Sequence, residues 1–283
     1  MAAVLLDGKM LAAQREKETL ERVNALKAKG IVPGLAFILV GEDPASKVYV
    51  QAKNRACERC GIRSVTCHLP ENVRQEELEA HLKELADDPS IHGMLLQLPI
   101  PRHLDEAAAL ACIPPQKDVD GFHPVNAGNL VNGIPGIRSC TPLGIMDLIA
   151  LSGVPTEGKH AVVIGRSAIV GKPAALLLLE ANCTVTVCHS RTRDLAQYTR
   201  DADILVSAVG KAGLITGDMV KPGAVVIDAG IARVDGKVVG DIDRTSVETV
   251  AGFLSPVPGG CGPMTIAELM VNTLNIAEAV SHV

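Results

Sequence analysis

The chain has 283 residues, 47% of them apolar and 21% charged, with a formal net charge of −5. That length sets a prior of one large or two medium domains, with ample aliphatic side chains for their cores. The acidic balance, with aromatics at 2% and no tryptophan, argues against nucleic-acid partners, which need a basic footprint or aromatic stacking platforms.

Residues 1–7 lack a basic segment followed by a long apolar core, the pattern of an export signal. No apolar run approaches the ~18 residues of a membrane span, so no membrane partner is expected. Eight cysteines in that context read as reduced thiols of a cytoplasmic protein. Cys57 and Cys60 form a C-x-x-C inside a helical stretch. A zinc site wants a second pair nearby, and none follows, so no metal is expected.

In chain order, Lys9 to Lys29 carries a helical pattern (Leu11, Ala12, Leu20, Val23, Leu26) that Gly30 stops. Gly34 to Gly41 is a continuous apolar run, the mark of a strand buried on both faces of a parallel sheet. A helix from Ser46 to Gly61 follows, then an alternating strand from Arg63 to Leu69 and an amphipathic helix from Gln75 to Leu85. Ile91 to Gln97 reads as a further strand. Pro114 to Gly121 is a turn-rich loop, and the stretch from there to Cys140 reads as irregular. Helix signals resume at Pro142, a favoured first-turn proline, and run to about Leu151; this helix is expected to bridge two domains. Lys159 to Gly165, Thr184 to Cys188, Ala202 to Gly210 and Ala224 to Gly230 read as strands, with a helix from about Val170 to Asn182 after the first. Val234 to Val239 reads as a hairpin on an Asp-Gly turn. A long amphipathic helix from about Pro263 to Val280 is expected to return to the first domain. Strand and helix alternate throughout, so the fold is α/β with crossover connections.

Gly165-Arg166-Ser167-Ala168-Ile169-Val170-Gly171 joins a buried strand to a helix, the context of a dinucleotide phosphate turn. The match is imperfect: Ser167 stands at the second glycine position, and the last glycine comes one residue late. A plain strand-to-helix turn is the alternative. An NAD site usually carries a carboxylate at the end of the second strand, ~20 residues on. Here Cys188-His189-Ser190-Arg191-Thr192 has no acid until Asp194. Ser190, Arg191 and Arg166 suit a ribose phosphate, which favours NADP, against the alternative of solvated loop arginines.

Tyr49 and Lys53 lie four residues apart, on one face of their helix. A lysine near pKa 10.4 must be lowered by burial or a nearby cation to act as a base at neutral pH. An isolated Tyr-x-x-x-Lys is common on exposed helices. In short-chain dehydrogenases the motif follows the glycine turn, whereas here it precedes it, so that analogy fails on order. Gln97 closes a buried run where open α/β sheets place ligand sites, or is an ordinary strand-end amide. Asp118 and Asp120 share one loop, as caps or as ligands. Pro256 to Pro263 is a rigid glycine-rich loop, open to close ligand approach or a hinge.

Taken together, Tyr49 to Lys53, Gln97-Leu98-Pro99, Lys117 to Gly121, Thr141 to Met146, Gly165 to Pro173 and Pro256 to Thr265 occur in an order that closely resembles the bifunctional methylenetetrahydrofolate dehydrogenase/methenyltetrahydrofolate cyclohydrolase family, over essentially the whole chain. Cys261 and Ser255 depart from the family's usual valine and threonine. The resemblance implies two α/β domains flanking a cleft. Residues 1–141, completed by 263–283, would form the catalytic, folate-binding domain. Residues 142–262 would form a Rossmann-type NADP-binding domain with a parallel sheet. It implies NADP-linked oxidation of methylenetetrahydrofolate and hydrolysis of the methenyl product to formyltetrahydrofolate. Lys53 would be the central catalytic group, with Tyr49 packing over the folate and helping to position that lysine, and Gln97 hydrogen-bonding Lys53 and tuning it. Asp120 would grip the pterin, and Leu98, Pro258 and Gly259 would line the folate site. Gly165, Arg166, Ser167, Gly171, Ser190, Arg191 and Ile231 would contact NADP. A homodimer through the NADP-binding domain is implied, with the Val234–Val239 hairpin at the contact. A dehydrogenase lacking the hydrolytic step, or a non-catalytic NADP-binding protein, are the alternatives.

Overall fold

The structure, a computed structural model, describes residues 2–280. The chain divides into two compact units. One comprises Ala13–Asn129, Pro135–Arg138 and the residues from Ile266 on; the other comprises the residues up to Ala12, Leu130–Ile134 and Ser139–Thr265. The chain opens with β1 (Val4–Leu5) and α1 (Gly8–Lys27), and α1 contributes residues to both units.

The first of these units holds a three-stranded parallel sheet, β3-β2-β4, of β2 (Gly34–Val40), β3 (Arg63–Leu69) and β4 (Gly93–Leu96). All seven residues of β2 are buried, as its unbroken apolar run requires of a central parallel strand. Between the strands run α2 (Pro44–Cys60) and α3 (Gln75–Asp87), followed by α4 (Glu106–Ala111) and α5 (Pro124–Val131). One core joins Ala36, Ile38 and Val40 of β2 to Met94 and Leu96 of β4 and to Leu78 and Leu82 of α3. Helix α5 lies in the stretch expected to be irregular. Its Asn- and Gly-containing sequence has weak helix propensity, and acceptors outside the helix hold it instead. Val125 N donates to His123 Nδ1 (3.1 Å), and Asn126 Nδ2 donates to Pro115 O (2.8 Å) and Asp118 Oδ2 (3.0 Å).

The other unit is built on a six-stranded, wholly parallel sheet, ordered β1-β11-β8-β7-β5-β6. It contains α6 (Cys140–Leu151), β5 (His160–Ile164), α7 (Gly171–Glu180), β6 (Thr184–Cys188), α8 (Leu195–Thr199), β7 (Ile204–Ser207), β8 (Val225–Asp228), α9 (Arg244–Val247) and β11 (Phe253–Leu254). Counted from β5, the strands lie in the doubly wound order 2-1-3-4-5, with the switch point between β5 and β7. Helix α6 does not bridge: it lies wholly in this unit, burying Ile145, Leu148 and Ile149, and a Cβ on its Gly144 would lie 2.6 Å from Met264 Cβ. The hairpin forms as its sequence predicts, β9 (Ala232–Val234) pairing antiparallel with β10 (Lys237–Val239). Asp235 and Gly236 take φ of 51° and 75°, the positive values a two-residue primed turn demands.

The final helix, α10 (Cys261–Val280), has residues in both units. Within the three-stranded unit Asn272 Nδ2 donates to Val119 O and Arg138 O, both at 2.9 Å. Among the described residues no helix is long and apolar enough to cross a membrane.

Candidate active site

In the three-stranded unit the polar cluster is built by α2, the end of β4 and the loop after α4. Asp43 caps α2 by accepting from Ser46 N (2.7 Å), Pro44 enters its first turn, and Gly61 ends it in a left-handed conformation at φ 69°. These signals fix the helix frame and so the direction of Lys53 midway along it. Gln97 continues the sheet ladder one residue past β4, its N–H donating to Ile38 O at 2.8 Å. Its side chain is held at both ends: Oε1 accepts from Lys53 Nζ (3.0 Å), and Nε2 donates to Leu98 O (2.8 Å). The structure therefore joins Lys53, Gln97 and Leu98 directly. The strand-end amide is not an idle one, because its acceptor is turned to the lysine.

The loop from Lys117 to Gly121 carries the third group. Met94 N donates to Lys117 O (2.7 Å), and Lys117 Nζ donates to Ala86 O (2.7 Å) and Asp88 O (2.9 Å), so the loop is pinned to β4 and to the end of α3. Val119 is fully buried, and a Cβ on Gly93 would overlap it, which explains the glycine that opens β4. The two aspartates of the loop have separate jobs. Asp118 is buried and accepts from His123 N (2.7 Å) and Asn126 Nδ2 (3.0 Å), so it organises the loop. Asp120 is half-buried, and its carboxyl is pushed up to about 6, first by burial; the Lys53 charge draws it down and Asp118 pushes it up.

Tyr49 lies one turn before Lys53 and is 46% exposed, which leaves its ring face open to a bound molecule. The Cys57–Cys60 pair is inert. Both thiols are buried and pushed up to about 12, mainly by burial, so neither carries thiolate at neutral pH. A cavity of about 750 Å³ between α5 and the C-terminal half of α10, lined by Val125, Asn126, Asn272 and Ile276 among others, includes none of the expected site residues.

In the six-stranded unit the turn from β5 into α7 lies at the switch point, where doubly wound sheets bind ligands. Gly165 has φ 123°, and a Cβ there would sit 2.5 Å from Ala208 O; a Cβ on Gly171 would overlap Gly165 O. Both glycines are therefore demanded by close backbone approach. Ser167, at the motif's second glycine position, accepts from Val170 N (3.1 Å) and Gly171 N (3.2 Å) and so ties the turn to the start of α7. Arg166 and Ser167 are exposed along the turn. After β6 the chain folds tightly, with His189 N donating to Thr192 Oγ1 (2.9 Å) and Arg191 N to His189 Nδ1 (3.1 Å). Ser190 and Arg191 are left exposed, and no carboxylate stands between them and the strand end. Ile231, after β8, is 55% exposed. Pro258 and Gly259 (φ 114°) belong to this unit, in the loop from β11 to α10.

Two residues of this unit escaped the sequence reading. Asp228 and Asp241 are buried and bind the loops after β7 and β8. The only local sign of them is a glycine close to each, Gly230 and Gly240.

A doubly wound sheet with a glycine turn at its switch point, in one chain with a lysine–amide–carboxylate cluster on a second α/β unit, defines a two-unit protein of the dinucleotide-binding class. The catalytic-domain model of the tetrahydrofolate dehydrogenase/cyclohydrolase family matches residues 6–120, and its NAD(P)-binding-domain model matches residues 139–281. The chain belongs to this family. The bifunctional protein FolD of Albidiferax ferrireducens is 55% identical over 275 residues, 97% of this chain and 96% of that protein. The crystal structure of bifunctional FolD from Campylobacter jejuni is 49% identical with a TM-score of 0.96, covering 99% of this chain and 100% of that one. The Trypanosoma brucei enzyme, solved with NADP cofactor and inhibitor, is 40% identical with a TM-score of 0.95 and full coverage of both chains (100% each).

Proposed function

We propose that this enzyme oxidises 5,10-methylenetetrahydrofolate to the methenyl cation with NADP⁺ and hydrolyses that cation to 10-formyltetrahydrofolate. The observation that carries this reading is the Lys53–Gln97 hydrogen bond beside Asp120. That set of groups can hold an anion-gripped heterocycle next to a proton-transfer lysine, with no metal needed.

The glycine turn fits NADP. Gly165 and Gly171 keep the turn tight, because a Cβ on either would press on the backbone of Ala208 or of Gly165 itself, and Ser190 and Arg191 stand exposed where an NAD enzyme keeps a carboxylate. Bound there, NADP⁺ supplies a hydride acceptor. The donor carbon needs no base, because the lone pair of an adjacent folate nitrogen stabilises the cation that remains; the protein's task is placement. Asp120 as carboxylate accepts the pterin's N–H groups, while Tyr49 and Leu98 bound the folate. In the second step water adds to the methenyl carbon and loses a proton. The carbon–N5 bond then breaks as N5 gains a proton and the hydroxyl on the carbon gives up its own, leaving the formyl group on N10 and one proton released overall. Lys53 manages those protons, and Gln97 Oε1 orients its Nζ. Arg166, Ser167 and Ile231 complete the cofactor's contacts.

Partners and setting follow. The β9–β10 hairpin is a separate two-stranded sheet with Val234 and Val238 exposed. Such a ribbon is marginal by itself, which supports its use in a homodimer through the NADP-binding unit. Eight cysteines, all thiols, support a reducing, cytoplasmic setting.

The test mixes purified protein with methylenetetrahydrofolate and NADP⁺ and follows NADPH, methenyl absorbance and formyl product separately. NADPH and accelerated formyl production are expected. Absence of NADPH would sink the reading. NADPH with methenyl decaying no faster than without protein would leave only a dehydrogenase.

A further inference from the structure

The carboxyl ends of β7 and β8 are organised by two buried carboxylates that the reaction itself does not use. Asp241 is fully buried. Its Oδ2 accepts from the Ser207 hydroxyl (2.7 Å) and Val209 N (2.8 Å), and its Oδ1 accepts from Lys211 N (2.7 Å). Asp228 Oδ1 accepts from Gly230 N and Asp241 N, and its Oδ2 from Ile242 N, all at 3.0 Å. The main-chain N–H of Asp228 donates to Ser255 Oγ at 2.8 Å. One continuous network thus runs from β11 through β8 and the strand return after the hairpin to the end of β7.

The neighbouring glycines record how tightly the network is packed. A Cβ on Gly230 would overlap the Asp241 carboxylate, and one on Gly240 would overlap that of Asp228. Gly210 takes φ 73°, and a Cβ there would lie 3.1 Å from Ile231 O. The Val209–Lys211 loop therefore rests against the Gly230–Ile231 segment. Both segments lie at the carboxyl edge of the parallel sheet, where ligands of doubly wound folds bind. Bonds from N–H and O–H donors to a buried carboxylate are charge-assisted and strong, so the two loops have little freedom to shift independently.

We propose that Asp241 is a positioning residue of the cofactor site, clamping the Val209–Lys211 and Gly230–Ile231 segments into one wall and so setting NADP affinity without touching the cofactor. This rests on the NADP reading given above, in which Ile231 is a contact. Asp241→Asn keeps the side chain's size and shape but has one acceptor oxygen. In one orientation its NH2 faces the Ser207 hydroxyl and Val209 N–H; in the other it faces the Lys211 N–H. Either orientation breaks the clamp on one side.

The experiment compares wild type and Asp241→Asn in two assays on the same preparation: NADP⁺-dependent oxidation of methylenetetrahydrofolate, and hydrolysis of added methenyltetrahydrofolate with no cofactor present. The KM for NADP⁺ is expected to rise about tenfold, the effect of one lost buried hydrogen bond, with kcat changing less. The loss is confined to the NADP-dependent step, so hydrolysis marks a folded folate site. An unchanged KM for NADP⁺, or both activities falling in equal proportion, would overturn the proposal. Should Asp241→Asn fail to fold, Ser207→Ala removes one donor and leaves both backbone bonds. The same selective rise in KM, smaller in size, is then expected, and an unchanged KM again overturns it. Wild-type protein that reduces no NADP⁺ would refute the functional reading itself, whereas an active wild type with an indifferent variant refutes this proposal alone.

Discussion

Asp120→Asn is expected to make the ligand-free enzyme more stable while weakening its hold on folate. The Asp120 carboxyl titrates at about 6 instead of 3.8, first because of burial and despite the opposing Lys53 charge. At about 1.36 kcal/mol per pH unit that difference corresponds to ~3 kcal/mol of cost for keeping the carboxylate ionised at neutral pH. Asp120 is only half-buried, and solvent screening brings the recoverable part to about 1–2 kcal/mol. The sign follows from linkage. Between pH 4 and 6 the folded protein binds more protons at this position than the unfolded chain, so stability falls as pH rises through that window. Asparagine, which never ionises, escapes the loss. Urea unfolding at pH 7.5 should show a higher midpoint for the variant, and the gain should shrink steadily as the pH is lowered towards 4. In wild type the KM for folate should rise as pH falls through about 6, because the neutral acid is a poorer acceptor. A variant equally or less stable at pH 7.5, or a gain that does not depend on pH, would refute the assignment of Asp120 as a strained, ligand-facing carboxylate.

Three further outcomes follow from the cofactor turn and the α2 frame. Arg191→Ala should weaken NADP more than NAD in paired binding titrations, and an equal loss would count against a phosphate contact. Gly165→Ala should destabilise by about 1–3 kcal/mol, because its φ of 123° and the Ala208 carbonyl 2.5 Å from the added carbon both oppose a side chain; wild-type thermal stability in that variant would contradict the geometry. Asp43→Ala should cost about 1 kcal/mol through loss of the α2 cap, read by denaturant unfolding.

What was legible in the sequence was local. The Gly34 to Gly41 run announced a doubly buried strand, and the glycine turn announced a strand-to-helix junction, because each signal lies within a few consecutive residues. The two-residue strands β1 and β11 gave no such signal; Val4 pairs with Phe253 across the whole chain. Residue chemistry alone left Asp118 and Asp120 alike, and only the family resemblance singled out Asp120. The structure separates them through Val119, whose burial against Gly93 turns one aspartate to the backbone of its own loop and the other towards Lys53. The Asp228–Asp241 network was invisible for a related reason: most donors to its carboxylates are backbone N–H groups, which leave no residue signature.

Lys53 carries the central claim, and Lys53→Met tests it with least change, keeping the stem while removing the nitrogen bonded to Gln97. The measurement is the decay of methenyl absorbance when preformed methenyltetrahydrofolate is added to the variant without cofactor, beside wild type and buffer. Decay no faster than in buffer, with NADP⁺ binding intact, is predicted; hydrolysis at the wild-type rate would contradict the account.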